Sequence, residues 1–250
     1  MTLKGKHALV TGGGTGIGLA IARALASKGA KVTITGRRRE VLEDAAGGGL
    51  YAAEMDVTDE AAVAAVIHEA VAARGPIQIC IPNAGIAEGR ALHKTDAAFW
   101  RKIMATNLDG AFFTIRESLN SMRETNWGRV IAISSIAGLK GLRGASAYTA
   151  SKHGLIGLIR GLSEDYLGQP ITFNALCPGY VDTDIIARNV ASISARTGAS
   201  QEAARDMMIE ANPHKRLIEP EEVAAAALWL CGPGSQSING QAIEIAGGQF

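Results

Sequence analysis

Short β-rich runs alternate with longer helical segments along this chain, and that alternation leaves few folds open to it. The strand-like runs lie at residues 7–10, 31–35, 51–57, 77–81, 129–134, 171–175 and 242–245. Helical periodicity occupies residues 17–28, 59–73, 96–122, 147–167 and 221–230. Strands that alternate with helices predict a parallel sheet with helices on both faces, and the nearly continuous apolar character of the strands fits burial on both sides. We therefore predict an α/β fold built on a doubly wound parallel sheet.

The length and charge of the chain limit its organisation and its partners. A length of 250 residues fits one domain, and we expect residues 1–250 to form a single unit. The least regular stretch lies between Pro178 and Pro220, so we expect a substrate lid around residues 182–217. A formal net charge of +1 gives no reason to expect nucleic acid or an anionic membrane as a partner. No apolar run is long enough to cross a membrane.

The cysteines and the first residues favour a cytoplasmic protein, and the histidines give no indication of a metal site. Cys80, Cys177 and Cys231 are odd in number and far apart, so we expect neither a disulfide framework nor a zinc site. The histidines show no metal-ligand spacing, and we expect no metal. No apolar segment of the kind found in signal peptides precedes the first predicted strand.

A glycine-rich segment, Thr-Gly-Gly-Gly-Thr-Gly-Ile-Gly at residues 11–18, follows the first predicted strand and precedes the first predicted helix. Glycines let backbone N–H groups approach a pyrophosphate closely, and the N-terminus of the helix adds partial positive charge. The segment is therefore predicted to bind the phosphates of a dinucleotide. An ordinary tight turn is the alternative explanation for such a segment taken alone.

Tyr148 and Lys152 lie four residues apart in a predicted helix, which places them on one face. A free tyrosine titrates near pH ~10, too high for a good proton donor and acceptor at neutral pH. A cation at ~4 Å stabilises the phenolate by on the order of 4 kcal/mol at an effective dielectric constant of ~20. This energy corresponds to lowering the tyrosine pKa by roughly three units. We therefore predict that Lys152 lowers the pKa of Tyr148 and makes its hydroxyl a working acid and base.

The spacing of the glycines, T-G-x-x-x-G-x-G, and the position of Ser135 thirteen residues before Tyr148 complete a recognisable pattern. With them the chain resembles the short-chain dehydrogenase/reductase family, nearest to its 3-oxoacyl reductases and 3-hydroxybutyrate dehydrogenases. The resemblance covers almost the whole chain from Thr11 onward. It implies a Rossmann-like single domain, a nicotinamide cofactor and a homotetramer. It also implies a catalytic group made of Asn107, Ser135, Tyr148 and Lys152.

The resemblance gives each of these four residues a role. Ser135 would hydrogen-bond the substrate oxygen, and Tyr148 would transfer the proton. Lys152 would lower the tyrosine pKa and hold the nicotinamide ribose, while Asn107 would hold a water molecule that links Lys152 to solvent. Taken alone, each residue also has an ordinary structural explanation, such as a strand-end cap for Ser135, and the joint spacing favours the catalytic one.

The same resemblance implies cofactor contacts after several strands. These contacts would be Thr11, Gly12, Gly14, Thr15, Gly16, Ile17, Gly18, Arg37, Asp56, Val57, Asn83, Ala84, Gly85, Tyr148, Lys152, Pro178, Gly179, Val181 and Thr183. Asp56 and Val57 would contact the adenine ring, although an acidic residue there also serves as a turn cap. The backbone near Val181 and the Thr183 hydroxyl would hold the nicotinamide carboxamide. Pro82 stands where the family usually has an asparagine, so the hydrogen bonding there must differ.

The residues after the second predicted strand bear on the choice of cofactor. Gly36 occupies the position at which NAD-preferring folds carry an acidic residue, and Arg37 follows it. Because a guanidinium suits a phosphate dianion, NADP(H) is favoured, and NAD(H) stays an alternative. Some NADP-dependent members of the family have a second basic residue at the position of Thr15. Because threonine carries no positive charge, this position does not add to the argument for NADP(H).

The substrate is less constrained than the chemistry. Hydroxybutyrate dehydrogenases usually have a histidine two residues after the catalytic serine and a lysine three before the tyrosine, and here Ala137 and Ala145 stand instead. A 3-oxoacyl group, as a thioester, is therefore favoured over a free short carboxylate. The alternatives are a secondary-alcohol, polyol or cyclic-alcohol dehydrogenase and, in another class, a catalytically silent nucleotide-sensing regulator. Four loop cations would either meet an anionic carrier or stay solvated: Arg90, Lys94, Lys140 and Arg143.

Overall fold

The computed structural model describes residues 1–249, with side chains at all of these except positions 192 and 196. Within that range seven strands form one sheet: β1 (His7–Thr11), β2 (Lys31–Gly36), β3 (Leu50–Glu54), β4 (Ile77–Ile81), β5 (Gly128–Ile133), β6 (Ile171–Pro178) and β7 (Ala242–Ile245). Their order is β3-β2-β1-β4-β5-β6-β7, and every neighbouring pair is parallel. The predicted doubly wound parallel sheet is confirmed.

The helices lie between the strands, as the alternating pattern predicts. They are α1 (Gly16–Ser27), α2 (Arg39–Ala45), α3 (Glu60–Arg74), α4 (Ala97–Met104), α5 (Gly110–Met122), α6 (Ser146–Asp165), α7 (Asp184–Thr197), α8 (Gln201–Ala211) and α9 (Pro220–Leu230). Asp59 starts α3 by accepting a hydrogen bond from the N–H of Ala62 at 3.0 Å. Gly75 ends that helix with a φ of 87°, a conformation that glycine adopts without strain.

The core has two layers, one on each face of the sheet. On one face α1 and α9 cover the strands, and Ile21 and Val223 pack in the same cluster as Val10. On the other face α3, α5 and α6 cover the strands, and Ile115 packs in the same cluster as Leu9. Leu9 and Val10 are adjacent on β1 and both fully buried, so the strand presents apolar side chains in both directions.

The winding of the sheet determines where a ligand can bind. Strand β1 lies between β2 and β4, so the chain reverses its direction of winding at that point. In open α/β sheets ligands bind at the carboxyl ends of the strands beside such a reversal. The glycine-rich turn follows β1 at this edge, and the segment from Pro82 follows β4. Ser134 follows β5, and Pro178 ends β6 at the same edge.

Two regions differ from the sequence-based prediction. The stretch between Pro178 and Pro220, predicted to be the least regular, contains α7 and α8, which share a small core with Ile186 and Met208. These two helices are less apolar on average than the helices that cover the sheet, and their low apolar content hides a spacing that is nevertheless helical. The helix α2 is short and was not predicted. No helix within the described residues is both long and apolar enough to span a membrane.

The predicted helical segment at residues 96–122 consists of α4 and α5, joined by a π-helical turn at Ala105–Asp109. Asp96 starts α4 by accepting a hydrogen bond from the N–H of Phe99 at 2.7 Å. A π-helical turn widens the helix, and such turns often occur at functional sites. This one carries Asn107, which the sequence analysis assigns to the catalytic group.

Candidate active site

A cavity of about 450 Å³ opens at the carboxyl edge of the sheet. The predicted site residues that line it are Ile17, Asn83, Gly85, Ser135, Tyr148, Lys152, Pro178, Gly179, Val181 and Thr183. The predicted site residues outside this lining are Thr11, Gly12, Gly14, Thr15, Gly16, Gly18, Arg37, Asp56, Val57, Ala84 and Asn107. The fold therefore brings residues from the ends of β1, β4, β5 and β6 into one cleft with the start of α6.

The glycine turn after β1 is joined to the loop after β4 by one asparagine. The side-chain amide of Asn83 donates hydrogen bonds to the carbonyl oxygens of Thr11 at 2.8 Å and Gly12 at 3.2 Å. In return the Thr11 hydroxyl accepts from the backbone N–H groups of Asn83 and Ala84, both at 3.0 Å. A β-carbon at Gly12 would lie 2.9 Å from the Asn83 amide nitrogen, and one at Gly18 only 2.5 Å. Both glycines are therefore required by the close approach of Asn83.

The first turn of α1 is suited to hold an anion. The side chain of Thr15, which precedes the helix, makes no capping hydrogen bond, and the first turn contains no acidic residue. Its N–H groups therefore stay available to a phosphate, which the partial positive charge of the helix end also attracts. Gly16 has a φ of +52°, and a β-carbon there would lie 3.0 Å from the Thr183 side chain. The residues present thus fit the pyrophosphate of a dinucleotide.

The other glycines of the turn have packing reasons. A β-carbon at Gly14 would lie 3.2 Å from the Val41 side chain on α2. One at Gly13 would lie 2.8 Å from the Ile34 side chain on β2, which packs under the turn. Gly13 could not be predicted from the glycine spacing, because its role is a close contact with the sheet.

Arg37, Asp56 and Val57 lie at the ends of β2 and β3, next to each other in the sheet. The Asp56 carboxylate accepts hydrogen bonds from the backbone N–H of Thr58 at 2.9 Å and from its hydroxyl at 2.8 Å. These bonds, with a smaller contribution from the positive charge of Arg37, lower the pKa of Asp56. Asp56 thus caps its own turn, as the structural alternative predicts, and also neighbours the exposed Arg37.

Ser135 and Tyr148 both line the cavity. Ser135 follows β5 in an extended conformation, and its hydroxyl oxygen accepts a hydrogen bond from the N–H of Ala137 at 3.1 Å. Tyr148 lies in the first turn of α6, part-exposed to the cleft. Burial raises the pKa of Tyr148, and interaction with the Ser135 side chain lowers that pKa by a smaller amount. The pKa of Tyr148 is therefore raised overall.

Lys152 is buried under the cavity, with 5% of its surface exposed. Its ammonium group donates to the carbonyl oxygen of Ile133 at 2.9 Å and lies 5.9 Å from the centroid of the Tyr148 ring. Burial lowers the pKa of Lys152 to about 8. Burial is the largest influence on the pKa of Tyr148 and raises it, so the lowering of that pKa by Lys152 stays a prediction.

Asn107 fixes the loop between β4 and α4. Its side-chain oxygen accepts from the N–H of Ile86 at 2.8 Å, and its amide donates to the Ile86 carbonyl oxygen and the Ser151 hydroxyl, both at 3.0 Å. A β-carbon at Gly85 would lie 3.2 Å from the Asn107 side-chain oxygen and 3.6 Å from the Lys152 ammonium nitrogen. Asn107 and Lys152 therefore face the same small space, which Gly85 leaves open.

The segment after β6 forms the wall beside the glycine turn. The N–H of Gly179 donates to the Ile245 carbonyl oxygen at 2.9 Å, which continues the pairing of β6 with β7. Val181 is buried, and the Thr183 hydroxyl donates to its carbonyl oxygen at 3.3 Å. Asp182 forms an ion pair with Arg205 of α8 at 2.9 Å. This wall is therefore tied both to the sheet and to the α7–α8 segment.

The far side of the cavity contains residues that the sequence analysis did not select. They are Ile86, Leu142, Tyr180, Ile185, Ile186, Asn189, Ile193 and Met208. Ile186, Val190 and Ile193 recur at helical spacing on α7, a signal that could have indicated a helix there. Of the four loop cations, Arg143 lines the cavity, whereas Arg90 stacks on the Phe99 ring at 4.1 Å.

Three comparisons with known proteins agree on one family. Residues 6–193 match the family model described as short chain dehydrogenase. D-beta-hydroxybutyrate dehydrogenase of Rhizobium meliloti (strain 1021) is 32% identical over 252 residues, covering 97% of this chain and 98% of the relative. The 3-oxoacyl-acyl-carrier-protein reductase of Aquifex aeolicus (strain VF5) is 33% identical over 255 residues, covering 99% and 98%. A variant actinorhodin polyketide ketoreductase solved with NADPH is 33% identical with a TM-score of 0.93, covering 97% and 96%.

Proposed function

This chain belongs to the short-chain dehydrogenase family, and from that premise we propose that it reduces a 3-oxoacyl thioester with NADPH. The family establishes the coarser activity: the protein is an NAD(P)-dependent oxidoreductase that interconverts a carbonyl and a secondary alcohol. The predicted oxidoreductase is thereby confirmed at that level. A catalytically silent regulator is not favoured, since Ser135, Tyr148 and Lys152 all line one cavity.

The observation that supports a 3-oxoacyl substrate is the composition of the cavity wall. The wall contributed by α7 and α8 is largely apolar, with Ile185, Ile186, Ile193 and Met208. Ala137 is fully buried and Ala145 lines the cavity, so neither position offers a cation to a free carboxylate. An uncharged acyl chain would instead bury its apolar surface against this wall. Arg143, exposed at the cavity, is available to the anionic end of a carrier.

We assign the proton transfer to Tyr148 and a hydrogen bond to the same substrate oxygen to Ser135. The shared cavity supports this assignment, because both side chains line it and the Ser135 side chain is near enough to lower the pKa of Tyr148. A nicotinamide ring, when bound, supplies the hydride. Because burial raises the pKa of Tyr148, its hydroxyl is protonated at neutral pH and can donate as the substrate oxygen gains charge.

Lys152 is assigned to resupply that proton. With a pKa of about 8, its ammonium group both holds and releases a proton close to neutral pH. Only one of its three N–H donors is occupied by the Ile133 carbonyl, so others remain for a ribose hydroxyl or a water molecule. We assign Asn107 to hold a water molecule in the space that Gly85 leaves open, next to Lys152.

The nicotinamide cofactor would be held by the turn after β1 and by the segment after β6. The free N–H groups of the first turn of α1 would take the pyrophosphate, and Val181 and Thr183 would take the carboxamide. We propose NADP(H) as the preferred form, because Arg37 is exposed and Gly36 leaves no carboxylate to repel a phosphate. The solved relative with NADPH agrees with this preference.

We propose that the chain is one domain in which residues 182–217 form the substrate lid, since α7 and α8 build their own core over the cavity. A homotetramer is supported by the exposed aromatic side chains of Phe112 on α5 and Trp229 on α9. A cytoplasmic location is supported by Cys80, Cys177 and Cys231, which are buried free thiols.

The substrate proposal is tested by following NADPH and NADH oxidation with four compounds: a 3-oxoacyl thioester, the corresponding free acid, a simple ketone and a cyclic ketone. We expect the highest kcat/KM with the thioester and NADPH. A preference for the free acid or the cyclic ketone would reject the 3-oxoacyl thioester. Tight cofactor binding without oxidation by any of the four compounds would favour the regulator instead.

A further inference from the structure

Tyr180 presents a phenol to the cavity that the roles assigned so far do not use. It lines the cavity together with Ser135 and Tyr148, and its ring packs against the small core of α7 and α8. The same cavity therefore has two tyrosine side chains in its lining, those of Tyr148 and Tyr180. Its hydroxyl has no hydrogen-bond partner among the described residues, and burial raises its pKa, so it is an available donor at neutral pH.

The backbone of Tyr180 is held by the side chain of Asn212, at the end of α8. The Asn212 side-chain oxygen accepts from the N–H of Tyr180 at 3.1 Å, and its amide donates to the Tyr180 carbonyl oxygen at 2.9 Å. The same amide donates to the Arg216 carbonyl oxygen at 2.8 Å, and the N–H of Ile218 also donates to Tyr180, at 2.9 Å. Asn212 is fully buried, so both its polar atoms are committed to these bonds.

The residue before Tyr180 is adapted to this contact. A β-carbon at Gly179 would lie 2.8 Å from the Asn212 side-chain oxygen and 3.2 Å from the Ala246 side chain. Any larger residue at Gly179 would therefore push Asn212 away from the backbone of Tyr180. The Asn212 side chain forms two hydrogen bonds with the backbone of Tyr180, as a neighbouring β-strand would. These bonds connect the end of α8 to a residue that lines the cavity.

We propose that the Tyr180 hydroxyl donates a hydrogen bond to the second oxygen of the substrate, the thioester carbonyl of a 3-oxoacyl group, and that Asn212 is the positioning residue for Tyr180. The inference rests on the proposed function, which supplies a substrate with two carbonyl oxygens. Ser135 and Tyr148 take the reacting oxygen, so a third donor on the same cavity can select compounds that carry another acceptor. A site built to hydrogen-bond a polar group discriminates against analogues that lack it.

The rigidity of Tyr180 makes this selection effective. Three hydrogen bonds fix its backbone, and the packing of its ring limits its rotation. Little conformational freedom is then lost when a substrate binds to the hydroxyl. A substrate that lacks the second oxygen would leave the donor unpaired against an apolar wall, which costs binding free energy.

The test compares a 3-oxoacyl thioester with a simple ketone of equal chain length in the full-length Tyr180→Phe variant. We expect kcat/KM for the thioester to fall about tenfold, mainly through KM, and kcat/KM for the ketone to stay within about twofold. Equal losses for both substrates, or no loss for either, would overturn the inference. Wild-type turnover is measured first, because an absence of thioester turnover contradicts the proposed function itself, and the inference with it.

Asn212→Ala tests the positioning role through the ratio of the two kcat/KM values. If Asn212 acts through Tyr180, this variant lowers the thioester-to-ketone ratio, and adding Tyr180→Phe lowers the ratio no further. A double variant whose ratio falls by the product of the two single effects would show that Asn212 acts independently, as would an unchanged ratio in Asn212→Ala. Asn212→Asp keeps the acceptor and removes the donors, and it serves as the second variant if Asn212→Ala does not fold.

Discussion

The ammonium nitrogen of Lys152 lies 5.9 Å from the centroid of the Tyr148 ring and donates to the carbonyl oxygen of Ile133 at 2.9 Å. The two side chains therefore share a face of α6, as their spacing predicts, but the ammonium group is bonded to the main chain of β5. Burial then sets both pKa values: it raises that of Tyr148 and lowers that of Lys152 to about 8. These directions agree with the proposed roles, in which the tyrosine is the resting proton donor and the lysine exchanges protons near neutral pH.

This assignment predicts the pH dependence of carbonyl reduction. As the pH rises through about 8, Lys152 loses its proton and can no longer resupply Tyr148, so kcat/KM for reduction should decline. Lys152→Arg keeps a protonated side chain over this range, and whatever activity it retains should not decline there. The measurement is kcat/KM against pH with saturating cofactor. The same decline in both proteins would show that Lys152 is not the titrating group.

Cofactor binding should depend on the space that Gly18 leaves. A β-carbon at Gly18 would overlap the Gly12 carbonyl oxygen and lie 2.5 Å from the Asn83 amide nitrogen. Gly18→Ala should therefore lose NADPH affinity and destabilise the fold by about 1–3 kcal/mol, because the turn must shift. Both quantities are measured, by fluorescence titration and by urea unfolding.

A matched control for Gly18→Ala is Gly141→Ala, at an open loop position where a β-carbon would meet nothing within 4 Å. Its free energy of unfolding should stay within about 0.5 kcal/mol of the parent, and its NADPH affinity should not change. If Gly18→Ala binds NADPH as tightly as Gly141→Ala does, the close approach of Asn83 is not what the turn requires.

Cofactor preference should depend on Arg37. If this guanidinium takes the extra phosphate of NADPH, Arg37→Ala should weaken NADPH binding about tenfold or more and leave NADH binding nearly unchanged. Arg38→Ala is the matched control, since Arg38 is the neighbouring exposed arginine at the start of α2. The measurement is the dissociation constant of NADPH and of NADH for the parent protein and both variants. Equal weakening of NADPH and NADH would reject the phosphate contact.

His7 on β1 has a network that requires its neutral form. The Thr33 hydroxyl accepts from the Arg74 guanidinium at 3.0 Å, so its own proton is free to go to the His7 Nε2 atom at 2.8 Å. The remaining ring nitrogen, Nδ1, then donates to the Gly75 carbonyl oxygen at 2.8 Å. Burial, with smaller contributions from the positive charges of Arg74 and Lys31, lowers the pKa of His7 to about 4. The hydrogen bond to Gly75 opposes this only in part.

Stability should therefore fall in mild acid. In the unfolded chain His7 binds a proton near pH ~6.5, whereas the folded protein binds it only near pH 4, so protonation between these values favours unfolding. The free energy of unfolding should decrease by about 3 kcal/mol as the pH falls from 6.5 to 4, and this contribution should then level off. Urea unfolding across that range measures it, with His68→Gln, an exposed histidine, as the control. His7→Gln should remove most of this slope; an unchanged slope would exclude His7 as its source.

The sequence predicted the sheet because buried parallel strands consist of nearly continuous apolar runs, such as Ile77–Ile81, in which Gln78 is the one polar residue. The proposed catalytic residues could be selected because their spacing along the chain is distinctive and, for Tyr148 and Lys152, lies within one helix. Pro82 replaces an asparagine of the family, and its carbonyl oxygen accepts from the N–H of Ile133 at 3.0 Å while Asn83 holds the glycine turn. The partners of Pro82 and Asn83 in these hydrogen bonds lie far away in the sequence, so the contacts could not be predicted from the local sequence.

The pKa directions and the far wall of the cavity could not be predicted in the same way. The direction for Tyr148 depends on how much solvent the fold removes, which four-residue spacing does not report. Tyr180 and Asn212 are 32 residues apart and meet only because α7 and α8 fold back over the cavity. Their individual sequence contexts, a strand end and a helix end, contain no signal of that contact.

The most direct test of the account is the turnover of Tyr148→Phe with a 3-oxoacyl thioester and NADPH. The variant keeps the aromatic ring and removes the hydroxyl that donates the proton, so NADPH should bind with an unchanged dissociation constant while kcat falls about 10²–10⁴-fold. Ser135→Ala should keep NADPH affinity as well, which separates loss of chemistry from loss of the cofactor. A Tyr148→Phe enzyme that turns over the thioester within a few-fold of the parent would contradict the account.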